Sequence, residues 1–168
     1  RVDATVFDVA AFTNLGRDHL DFHKTLDNYF EAKARLFTPQ LTRTAVINVD
    51  DPRGQELARR CAENGVRVVS TSVTTQSDYR VISWTPDAQL GSRVEVRTPS
   101  GMRTMRLGIP GEYNVRNAVM ALAMLEASGL SFDEVVDGLQ DAQVPGRMER
   151  VLLGEGAPGV LLERGCDR

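Results

Sequence analysis

Three side chains able to hold a metal or exchange a proton lie close together in Asn14 to Phe37, NLGRDHLDFHKTLDNYFEAKARLF. His19 sits in RDHLD, between Asp18 and Asp21 and just after an apolar run. A histidine among carboxylates at the end of a strand suits a divalent cation or a catalytic role, and the same pattern also makes a solvated loop. His23 follows within a helical turn, but no third ligand stands at zinc-site spacing. It reads as a surface or helix-entry residue. Lys33 is the odd member. Thr25 is positioned as an N-cap with Asp27 in the first turn. Apolar residues then fall at Leu26, Tyr29, Phe30, Leu36 and Phe37, one helical face. Lys33 lies three or four residues from four of them, so its stem points inward. Such a lysine either snorkels to water, much the commoner outcome, or sits desolvated with a lowered pKa. A neutral amine is a nucleophile. It also adds carbon dioxide to give a carbamate, which turns a cation into an oxygen ligand.

Elements on either side must position this stretch. Thr5 to Thr13 (TVFDVAAFT), Thr44 to Val49 (TAVINV) and Val66 to Ser70 (VRVVS) read as buried strands. After the turn Asp50-Asp51-Pro52-Arg53-Gly54, a helix is expected over Gln55 to Glu63 with Leu57, Ala58, Cys61 and Ala62 inward. Strand, helix, strand is the βαβ pattern of a parallel sheet covered by helices. The pattern then changes. Tyr79 to Trp84, Arg93 to Arg97 and Arg103 to Ile109 alternate, with a hairpin turn at Pro99-Ser100-Gly101. These form an antiparallel insert or edge, in which Trp84 packs. The fold class is therefore α/β: a Rossmann-like, mostly parallel sheet flanked by helices, with a small antiparallel hairpin portion.

A second polar pair opens a long helix expected over Glu112 to Ala127, with Val115, Ala118, Val119, Leu122, Ala123 and Leu125 as its apolar stripe. Asn114 and Asn117 lie in its first turns, where two amides can face a planar polar ligand. The plainer reading has Asn114 capping the helix and Asn117 solvated. Ser131 caps a further helix in a capping box with Glu134. A last strand is expected over Arg147 to Leu153.

The bulk properties exclude several classes. A chain of 168 residues makes one ordinary domain. With a net charge of −3 and no basic stripe, nucleic acid is excluded as a partner. No apolar run is long enough for a membrane span, and no leader precedes the first strand. Cys61 and Cys166 stand in no metal-type spacing, as free thiols of a cytoplasmic protein do. No GxGxxG, GxxxxGK[ST] or GxSxG motif is present.

Several stretches, in order, resemble the central domain of the Mur ligases, the ATP-dependent amide-bond-forming enzymes that build the peptide stem of peptidoglycan. NLGRDHLDFHKTLDNYFEAKARLF is similar to the family's TNxxxDHLD followed by YxxAKxxLF. AVINVDDPRG, IPGEYNVRNA and VPGRMERV resemble its second-strand turn, its PGxxNxxNA helix start and its crossing into the C-terminal domain. The resemblance covers residues 1–153. RVDATVFDVAAFTNL and GRMERV look most like the members that add the third amino acid, diaminopimelate or lysine, to UDP-N-acetylmuramoyl-L-alanyl-D-glutamate. The D-glutamate-adding members are the neighbouring alternative. A non-catalytic nucleotide-binding domain of the same fold is the other.

The resemblance implies ATP and Mg2+ as cofactors and an acyl-phosphate route, in which the substrate carboxylate takes the γ-phosphoryl group before the amine attacks. It implies roles residue by residue. Lys33 is carbamylated and, with His19, places magnesium. Asn114 and Asn117 lie near the adenine, Arg147 near the interdomain nucleotide region, and Arg1 contacts the UDP-muramoyl substrate. The chain departs from the family in lacking the GxxGKT loop, the N-terminal UDP-binding domain and the C-terminal domain that selects the amino acid. Residues 154–168, after GRMERV, replace the expected DYAHxP region and read as an irregular or non-family tail. The expectation is a piece of a longer ligase, inactive alone, whose partners include the other domains of the same polypeptide.

Overall fold

The computed structural model describes residues 5–16, 25–87, 91–142, 149–151 and 160–162. Its centre is a six-stranded sheet in the order β1-β2-β3-β4-β5-β6. Strands β1 (Phe7–Phe12), β2 (Thr42–Asn48), β3 (Arg67–Ser72) and β4 (Tyr79–Pro86) run parallel. Strands β5 (Ser92–Thr98) and β6 (Gly101–Leu107) continue the same sheet antiparallel. The expected α/β architecture with an antiparallel portion is thus one continuous sheet. The junction is narrow, since only Thr71 and Ser72 of β3 register with β4. The hairpin turn falls at Pro99-Ser100, with Thr98 opposite Gly101.

Helices cover both faces. On one lie α1 (Leu26–Ala34) and α2 (Pro52–Glu63), packing Phe30, Leu57 and Cys61 onto Ala10, Phe12, Ala45 and Ile47. On the other lie α3 (Glu112–Ala127) and α4 (Phe132–Gln140), packing Val115, Val119, Leu122 and Val135 onto Val46, Val69, Val94 and Leu107. Phe30, Ile47, Leu57 and Leu122 are fully buried, each contributing about 1.5–3 kcal/mol over exposure to water. Trp84 packs against the second cluster, as expected of it. The hairpin β7 (Glu149–Val151) with β8 (Val160–Leu162) is a separate two-stranded sheet. Of the strand expected over 147–153, residues 149–151 are β7 and the others lie outside the described residues; in the tail expected to be irregular, residues 160–162 are β8.

Several helix limits differ from expectation. Helix α1 ends at Ala34, so Leu36 and Phe37 pack from the turn that follows, while Leu26 is exposed. Helix α2 begins at Pro52, three residues early. Asp51 caps it by accepting from the Arg53 amide, and a proline at the first helical position lacks only an N–H that would be unpaired there. Its inward face is Gly54, Leu57 and Cys61, with Ala62 exposed. Gly54 is required: a Cβ there would lie 1.9 Å from the Asn48 carbonyl oxygen. On α3 the buried stripe takes Met120 rather than Leu125. The Ser131–Glu134 capping box is formed.

Candidate active site at the strand ends

The carboxyl ends of parallel strands are where open α/β sheets bind ligands. Here β1, β2 and β3 end together, and side-chain hydrogen bonds join their loops. The Asn48 amide donates to the Thr13 carbonyl at 2.8 Å, and the Leu15 N–H donates to Asp51 at 2.9 Å. Asp51 therefore caps α2 and holds the loop after β1 with one carboxylate.

Asp50 is the centre of the arrangement. Its side chain is only 7% exposed. One oxygen accepts from the Ser72 and Thr74 hydroxyls, each at 2.5 Å; the other accepts from the Val73 N–H at 2.8 Å and from Arg116 Nη1 at 3.3 Å. Burial alone would raise this carboxyl. The hydroxyl and backbone donors outweigh it and hold the pKa below its ordinary value of 3.8. Between these strand ends and α3 lies a narrow cleft lined by Thr13, Asn48, Asp50, Ser72, Arg116 and Asn117 among others, with about 20 Å³ of water-accessible space.

Lys33 reaches the same end of the sheet. It is half-buried, and its Nζ donates to the Asn14 carbonyl at 3.3 Å, 4.7 Å from the Tyr29 ring centre and 5.9 Å from that of Phe12. The inward stem expected from helical spacing is borne out, with the ammonium lying over the Tyr29 and Phe12 rings. Its helix is fastened to α2 over one ring. Arg53 and Arg60 stack on Phe30 at 4.9 and 5.1 Å; Arg53 pairs with Asp27 and Glu56, and Arg60 with Glu31 and Glu56. The Thr25 cap is formed.

At the start of α3 the cap is Gly111, at φ 99°, with no side-chain bond. Asn114 is not the cap. Its amide donates to the Pro110 carbonyl at 2.6 Å, which orients the side chain at the helix start. Asn117 is exposed and lines the cleft. His19, Arg1 and Arg147 lie outside the described residues, as do His23 and Cys166. The structure brings Lys33 and Asn117 to the strand-end side of the sheet. It adds Asp50, Ser72, Thr74 and Arg116, which spacing did not single out. Only the polar run after β2 and the short Ser/Thr run after β3 hinted at them.

Among the described residues no three of His, Cys, Asp and Glu stand together to hold a metal ion.

A mostly parallel, Rossmann-like sheet covered by helices on both faces, with polar groups gathered at the ends of its parallel strands, defines an open α/β domain. The chain belongs to the Mur ligase middle-domain family, whose model matches residues 1–125. It is 42% identical over 164 residues to the UDP-N-acetylmuramoyl-L-alanyl-D-glutamate--2,6-diaminopimelate ligase of Streptomyces coelicolor, covering 94% of this chain and 31% of that protein. The enzyme of the same name from Geobacter metallireducens is 42% identical over 160 residues, covering 90% and 30%. A solved structure of such a ligase superposes with a TM-score of 0.78 at 30% identity, covering 88% of this chain and 31% of that one. The chain thus spans about a third of the length of these relatives.

Proposed function

We propose that this chain is the middle part of an ATP-dependent ligase of peptidoglycan synthesis. The ligase joins 2,6-diaminopimelate to UDP-N-acetylmuramoyl-L-alanyl-D-glutamate. The observation that carries the reading is the 42% identity along 94% of the chain to a ligase of that name. In this reading residues 1–153 are the ATP-binding domain. The phosphate loop, the muramoyl-nucleotide domain and the amino-acid-selecting domain are supplied by the rest of the polypeptide. No described helix is long and apolar enough to cross a membrane, in keeping with work on cytoplasmic substrates.

The residues divide the work. Asn114 and Asn117 face the adenine, His19 and Lys33 lie beside the phosphates, Arg147 approaches the nucleotide from the domain boundary, and Arg1 meets the muramoyl substrate. Mg2+, when bound, neutralises charge on the transferring phosphoryl group. The chain's own contribution is positioning. The α1–α2 ion-pair network holds the helix that carries Lys33, and the Asn14 carbonyl fixes the direction of its amine. Lys33 is held by the Asn14 carbonyl and the Tyr29 and Phe12 rings.

Lys33→Arg in the complete polypeptide tests the carbamate. Arginine keeps the cation but cannot take up carbon dioxide in this way, so ligation is expected to fall by at least a hundredfold, as in Lys33→Ala. Full activity in Lys33→Arg would show that only a positive charge is needed there.

A further inference from the structure

Asp50 belongs to none of the roles above, yet its side chain ties two distant chain segments together at the strand ends. Its donors come from the turn after β3 and, through Arg116, from α3. Arg116 is itself held on both sides: Nε and Nη2 donate to Glu112 at 3.0 and 2.6 Å, while Nη1 donates to Asp50. A guanidinium is a rigid planar fork, so two anchored edges fix its plane. It stands one residue before Asn117, on a helix whose start has no side-chain cap. A long-range strut does here what a local cap does elsewhere. It sets the first turns of α3 against the ends of β2 and β3.

We propose that Asp50 is a positioning residue for nucleotide binding. Through Arg116 it holds Asn117 at the mouth of the cleft, and through Ser72, Val73 and Thr74 it shapes the cleft's opposite wall. The inference rests on the reading that Asn117 contacts the nucleotide base. Asp50 itself touches no substrate. Replacing it leaves chemistry and muramoyl-substrate binding in place and loosens only the groups that meet the base.

The experiment uses the complete polypeptide and titrates a non-hydrolysable β,γ-imido analogue of ATP with magnesium, alongside steady-state KM values for ATP and for the muramoyl substrate. The variants are Asp50→Asn, Arg116→Met, Asn117→Ala and Asp50→Asn/Asn117→Ala. Arg116→Met cuts the strut from its partly exposed end and serves if Asp50→Asn does not fold. Asn117→Ala, Asp50→Asn and Arg116→Met are each expected to weaken analogue binding about tenfold, equivalent to about 1.4 kcal/mol. They raise KM for ATP and leave KM for the muramoyl substrate within twofold. The double variant is expected to lose little more than Asn117→Ala alone, because the two residues act as one unit. Losses that multiply in the double variant overturn the proposal, as does equal weakening of both substrates. So do Asp50→Asn and Arg116→Met that bind normally while Asn117→Ala does not. Normal binding by Asn117→Ala overturns the base-contact reading itself, and the inference with it.

Discussion

Phe30→Ala strikes the joint that carries Lys33. The ring is fully buried, meets Phe12 edge to face at 6.3 Å, and lies beneath the guanidinium groups of Arg53 and Arg60. Removing a buried phenylalanine costs about 3–5 kcal/mol, the upper part of that range applying where the walls cannot close in. Here the strand residues Phe12 and Ile47 form a rigid floor, and the roof is a pair of ion-paired arginines. A loss of about 4 kcal/mol is therefore expected. For a domain of this size it lowers the melting temperature by roughly 8–16 °C. Phe30→Leu keeps most of the volume and should cost about 1 kcal/mol. Equilibrium urea unfolding of the 168-residue chain, followed by far-ultraviolet circular dichroism, measures both, provided the slopes match the parent's. A Phe30→Ala loss below about 1 kcal/mol would refute the reasoning, since it would mean that α1 is not held through this ring.

The Asp50 carboxyl is held below its ordinary pKa, so its stabilising contribution is present above pH 3.8 and is lost as pH falls through the lower folded value. Unfolding free energies measured from pH 7 to 2.5 should accordingly show a shallower acid limb for Asp50→Asn, and parallel limbs would contradict this. Burial pushes the Cys61 thiol up to about 11, and its Sγ lies 3.8 Å from the Phe37 carbonyl oxygen. At pH 8 alkylation of the Cys61 peptide, read by mass spectrometry, should be at least tenfold slower in the folded chain than in urea. Gly54→Ala drives a methyl group into the Asn48 carbonyl oxygen and should destabilise the chain by about 2 kcal/mol in the same unfolding assay, with neutrality as the contrary result.

What could be read from the sequence was mostly local. The span of α3, the Ser131–Glu134 box and the Pro99-Ser100 turn follow from signals a few residues apart, and the structure has them where expected. Helix α2 starts earlier than its sequence suggests because Asp51-Pro52 reads equally as a turn and as a helix opening. For Lys33, spacing predicted company with Tyr29. The Phe12 face and the Asn14 carbonyl came from the loop and strand across which α1 packs. Asp50 shows the limit most plainly. Its partners lie 22 to 66 residues away and meet only after β2 pairs with β3 and α3 crosses the sheet. No periodicity records such a meeting. The family resemblance supplied the roles proposed for His19, Arg1 and Arg147, none of which the described residues include.

ADP formation coupled to amide-bond formation tests the central claim most directly. The complete polypeptide carrying this chain is incubated with ATP, Mg2+, UDP-N-acetylmuramoyl-L-alanyl-D-glutamate and 2,6-diaminopimelate. The expected result is one ADP per ligated product, none when either the muramoyl substrate or the amino acid is omitted, and no ligation by the 168-residue chain alone, which has no GxxGKT loop. ADP release that ignores the amino acid, or no ligated product from the complete polypeptide, would contradict the account.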